Sequence, residues 1–75
     1  MQDKHWEQYR LLGLNIAYYR KLRGPSQEML TEKADISRTH LSCIEIADCV
    51  PSLDTLFKIS DVLGVEPYKL FQSKE

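Results

Sequence analysis

Cysteine, glycine and proline are all scarce, at two, three and three in 75 residues. Two cysteines do not make the disulfide framework of a small secreted scaffold. Cys43 and Cys49 are therefore expected to be free thiols in a reducing cytoplasm. Three glycines leave no glycine-rich loop to cradle a phosphate, and neither a nucleophile elbow nor a pair of catalytic carboxylates stands out. No uninterrupted apolar run exceeds four residues, so neither a membrane span nor a signal peptide is expected. His40 and Cys43 share a helical spacing and Cys49 follows, but three ligands without a fourth make a poor zinc site. No metal, cofactor or small-molecule substrate is expected. A chain this short builds one core and hardly a cleft besides, which argues against an enzyme.

Excess charge of one sign is also missing. Ten basic and eleven acidic residues give a net charge of −1, so the chain as a whole is not a basic nucleic-acid binder. The distribution says more than the total. Residues 1–25 carry net +3 and residues 26–50 net −3, so any field that attracts a polyanion must come from a local patch.

What the chain does have is helical periodicity. Trp6, Tyr9, Leu12, Ile16 and Tyr19 form a helical stripe, and Gly24-Pro25 stops it. Ser26 reads as an N-cap for a helix over Gln27–Lys33, with Leu30 and Ala34 inward. Ser37 caps a third over about Arg38–Ile46, with Leu41 and Ile44 inward. Asp35 falls where a tight turn is needed. Pro51-Ser52 opens a fourth helix, whose stripe of Leu53, Leu56, Ile59 and Leu63 ends at Gly64. Pro67 at a first helical position starts a last short helix with Leu70 and Phe71 inward. No strand alternation occurs, so the fold class is all-α, with five helices.

The stretch from Ser26 to Ile44 joins two helices by a three- or four-residue turn, with apolar residues at Leu30, Ala34, Ile36, Leu41 and Ile44. Leu12-Gly13, Ile16, Arg20, Ser26-Gln27, Ile44-Glu45, Pro51-Ser52-Leu53 and Leu63-Gly64-Val65 flank it in order. In this order the chain resembles the Cro/C1-type helix-turn-helix family over roughly residues 11 to 71. Residues 1–10 then extend the first helix, and 72–75 form a tail. The resemblance implies a compact five-helix, lambda-repressor-like domain that regulates transcription. Its third helix would enter the major groove of double-stranded DNA, usually as a homodimer on a two-fold symmetric operator.

Carried over residue by residue, the resemblance assigns Gln27 a phosphate contact and a bracing role toward the third helix, against the plain alternative of a solvated glutamine. Ser37 would cap its helix and touch phosphate. Arg38, Thr39 and Cys43 align with base-facing positions, and His40 and Ser42, which flank them, complete the expected DNA-binding set. Arginine suits guanine through two parallel hydrogen bonds, and threonine offers a hydroxyl or a methyl. Cysteine offers only a small apolar contact, and histidine reaches phosphate only when protonated. Arg20 and Glu45 correspond to a structural ion pair between the first and third helices. The face from Ile36 to Ile44 contains no acid.

Three positions depart from the pattern. Thr31 stands where alanine is usual, and its hydroxyl needs a carbonyl one turn back. Asp35 replaces a turn glycine, at a cost of order 1 kcal/mol if the turn needs positive φ. After Glu45 the usual basic residue, glycine and further basic residues are replaced by Ile46-Ala47-Asp48-Cys49-Val50. That loop loses the cations that grip phosphate. Its apolar Ile46 and Val50 either fill the groove behind the third helix or form a partner surface. The alternative function is thus a degenerate helix-turn-helix scaffold that binds protein. Trp6, Tyr9, Tyr68 and Phe71 are packing residues or, alternatively, dimer contacts.

Overall fold

A computed structural model describes residues 4–73. The first three positions of the proposed N-terminal extension and the last two of the tail lie outside the described residues. Four α-helices run over Trp6–Arg23 (α1), Gln27–Ala34 (α2), Arg38–Glu45 (α3) and Leu53–Leu63 (α4). A 3-10 helix over Pro67–Phe71 closes the chain. Among the described residues there is no strand.

Three of the α-helices, α2, α3 and α4, begin where serine hydroxyls accept otherwise unpaired amide hydrogens. Ser26 accepts from Met29 N–H, Ser37 from His40 N–H and Ser52 from Thr55 N–H. All four α-helices end by turning left-handed. Gly24 and Gly64 adopt φ of 105° and 66°, and Asp35 and Ala47 adopt 57° and 61°. Three of these stops share one hydrogen-bond pattern. Ile36 N–H returns to Thr31 O, Asp48 N–H to Cys43 O and Val65 N–H to Ser60 O, at 3.1, 2.8 and 3.1 Å.

Leu12 and Ile16 from α1, Leu30 and Ala34 from α2, Leu41 and Ile44 from α3, and Leu56, Ile59 and Leu63 from α4 form the core, with Val65 and Leu70. α1 packs on α3, α4 and the 3-10 helix, and α2 packs on α3 and α4. Asn15 is buried on α1, and its amide donates to the carbonyls of Leu70 and Gln72 at 2.8 and 2.9 Å. It thereby clamps the C-terminal segment onto α1. Thr31 satisfies its hydroxyl on Glu28 O at 2.9 Å, as the helical geometry requires.

Three details differ from the sequence reading. The fifth helix is a 3-10 turn, so four α-helices occur among the described residues. Five residues opened by a proline cannot repay the nucleation of an α-helix, and Lys69 N–H bonds Glu66 O at the tighter spacing. Phe71 is 52% exposed, because the tighter winding turns only Leu70 inward. Leu53 is 69% exposed, and Thr55 is buried in the first turn of α4 instead.

Candidate nucleic-acid interface

The position of α3 is set first by its crossing with α1. At Gly13, α1 crosses α3 so closely that a Cβ would lie 2.4 Å from Ile44 O and 2.7 Å from Glu45 O. Both obstacles are backbone, so only glycine allows this approach. The crossing fixes the last turn of α3 against the middle of α1.

Side chains fix the remainder. Arg20 from α1 meets Glu45 at the end of α3 in a two-pronged contact. Its Nε donates to Oε2 at 2.8 Å and its Nη2 to Oε1 at 3.2 Å. The two side chains are only 12% and 8% exposed, which places the pair among largely desolvated ones. Gln27, at the first turn of α2, donates from Nε2 to Glu45 Oε1 at 3.0 Å. It accepts from Ser42 Oγ at 3.4 Å. One glutamate thus joins α1, α2 and α3, and the glutamine passes the restraint on to the middle of α3. Among the described residues, no buried polar side-chain atom lacks a partner.

What this frame presents is graded along α3. Arg38 and Thr39 in the first turn are exposed, while His40, Ser42 and Cys43 are half-buried. Ser37 remains exposed with its hydroxyl engaged as the cap. The N-terminal half of α3 is therefore open, and its first turn carries no acid. A helix N-terminus offers N–H groups and the positive end of the helix dipole to an anion.

Two exposed residues of the following loop face solvent rather than fill a groove: Ile46 is 73% exposed and Val50 44%. Ala47 and Cys49 pack inward instead. Arg23, in the basic end of α1, donates to Gly64 O at 3.4 Å and ties α1 to the end of α4. Sequence reasoning missed Asn15 as a clamp and Gly13 as a crossing. A polar residue on the inward side of a helical stripe was the available signal for the first. Among the described residues, no three potential ligands cluster for a metal ion, and no helix is long and apolar enough to cross a membrane.

The family model described as helix-turn-helix matches residues 16–70. The chain is 38% identical over 66 residues to the HTH-type transcriptional regulator SinR of Bacillus licheniformis, which covers 87% of this chain and 60% of that protein. It thus spans about three fifths of the length of that relative. The N-terminal DNA-binding domain of SinR from Bacillus subtilis superposes with a TM-score of 0.80 at 37% identity, covering 88% of this chain and 97% of that one. The restriction-modification controller protein C.AhdI from Aeromonas hydrophila superposes with a TM-score of 0.86 at 26% identity, covering 92% of this chain and all of that one. A cap-defined helical pair, braced on a third helix and matched across most of its length, identifies the chain as a member of the helix-turn-helix family of the Cro/C1 type.

Proposed function

We propose that this protein is a cytoplasmic, sequence-specific transcriptional regulator that reads double-stranded DNA with α3 in the major groove. It acts as a homodimer on a two-fold symmetric operator, and residues 11–71 form the DNA-binding unit. The observation that carries the reading is the open first turn of α3, with Arg38 and Thr39 exposed, held by the Arg20–Glu45–Gln27–Ser42 chain of contacts. A braced helix with a free N-terminal edge fits a groove in which each base pair displays its own donor and acceptor pattern. Arg38 reads a guanine, Thr39 a neighbouring base, and Cys43 makes a small apolar contact. Ser37, Gln27 and His40 touch phosphates, and Ser42 holds Gln27 in place. The curated relative is a transcriptional regulator and one structural neighbour is a DNA-binding domain, which supports the same reading.

The exposed Ile46 and Val50 beside acidic Asp48 favour a second reading, a scaffold that binds protein through the loop after α3. Selection from a random duplex library at two salt concentrations decides between them. Enrichment of a symmetric site at low salt is the expected result. Recovery of no enriched site overturns DNA reading and leaves the scaffold.

A further inference from the structure

The turn that ends α3 brings the two cysteines together. Ala47 in the left-handed region reverses the chain, and the N–H groups of Asp48 and Cys49 both point at the carbonyl of Cys43, at 2.8 and 3.4 Å. Cys49 packs against the core from the far side of this turn, and Cys43 sits half-buried on the edge of α3. Both are free thiols. We propose that Cys43 and Cys49 form an oxidisable dithiol, and that its closure to an intramolecular disulfide alters the edge of α3 that faces DNA. The consequence for DNA rests on the function proposed above; the closure itself does not.

The geometry suits the chemistry. The Cys49 N–H already meets the Cys43 carbonyl at 3.4 Å, so the two residues stand side by side and the five residues between them are already looped by backbone bonds before any disulfide closes. Burial, the neighbouring Cys43 and Asp48 hold the Cys49 thiol above its ordinary value, so it keeps its proton near neutrality. With a peroxide as oxidant, the Cys43 sulfur attacks one peroxide oxygen, breaks the O–O bond and becomes a sulfenic acid, releasing the first water. The Cys49 sulfur then attacks the Cys43 sulfur, the S–O bond breaks, and the Cys49 proton leaves with the hydroxyl as the second water. Two thiols and one peroxide yield one disulfide and two waters. A dithiol reductant reverses the step by exchange.

Closure removes the Cys43 sulfur from the reading edge and ties the last turn of α3 to the loop. The test treats the whole reduced protein with hydrogen peroxide, then reads intact mass, linked peptides and affinity for the duplex selected with reduced protein. The expected result is loss of two hydrogens, one peptide link between Cys43 and Cys49 within a chain, and duplex binding weakened by about tenfold or more, the scale of one lost base contact. Dithiothreitol restores both. Cys49→Ala, which leaves the DNA-facing residues intact, gains oxygen at Cys43 and loses no hydrogens. Links only between chains, oxygen added to both cysteines without a link, or a closed disulfide that binds duplex as tightly as the reduced protein would each overturn the proposal. Reduced protein that enriches no duplex sinks the proposed DNA reading instead, while the mass readout still decides closure.

Discussion

Four helix ends turn left-handed, but only two have glycine to do it, because the third glycine is committed at the α1–α3 crossing. Asp35 and Ala47 carry the other two at a steric cost. Asp35 is exposed and also sets a negative charge at the C-terminus of α2, where the helix dipole disfavours it. Asp35→Gly should therefore stabilise the fold by about 0.5–1 kcal/mol after the entropy of the added glycine is deducted. A thermal melt should show Tm higher by a few degrees, and an unchanged or lower Tm would contradict the strain. On the open first turn of α3, Arg38 is exposed. Arg38→Ala should leave stability within about 0.5 kcal/mol. It should cost about 1–3 kcal/mol in duplex binding and relax base choice at one operator position. Identical selections from the two proteins would show that another residue reads that base.

Between elements, the position of α3 rests on a steric and a polar device. Gly13→Ala drives a methyl into the carbonyls of Ile44 and Glu45, neither of which can rotate away. Urea unfolding should show a loss of about 1–3 kcal/mol or more, large for a domain of this size. The polar device can be separated from stability. Glu45→Ala strands Arg20 and removes the acceptor of Gln27, and should cost about 3–5 kcal/mol. An Arg20→Met, Glu45→Leu double variant should regain most of that stability, since apolar packing replaces a desolvated pair well. Its duplex affinity should stay low, because Gln27 has lost its anchor. Recovery of affinity along with stability would reduce the network to a structural one.

For the molecule as a whole, electrostatics sets the conditions for binding. Net charge is −1, and the loop after α3 presents Asp48 where cations would grip phosphate. Affinity should thus be lower at 200 mM salt than for a basic relative of the same fold, with a shallow salt dependence. Asp48→Lys should steepen the plot of log affinity against log salt by about 0.9 for one added phosphate contact, measured by anisotropy titration. A slope that does not move would place that loop away from the backbone. A homodimer requires half-sites about 10–10.5 base pairs apart or a multiple, which the enriched sites would display directly.

Much of this fold is local, and local features were legible. The serine caps at 26, 37 and 52, the stop at Gly64 and the stripes that bury Leu30, Leu41 and Ile59 are each set by a few neighbouring residues, whose hydrogen-bonding and periodicity act before the chain is compact. The order of these pieces also carried the resemblance to the family. Tertiary structure decided what depends on partners far along the chain. Gly13 matters because α3 arrives against it, and Asn15 because the chain returns to it 55 residues later. Leu53 and Phe71 lie outside, although their spacing alone matched an inward face. Periodicity states which side of a helix is apolar; only the packed neighbours determine how much of that side is withdrawn from water.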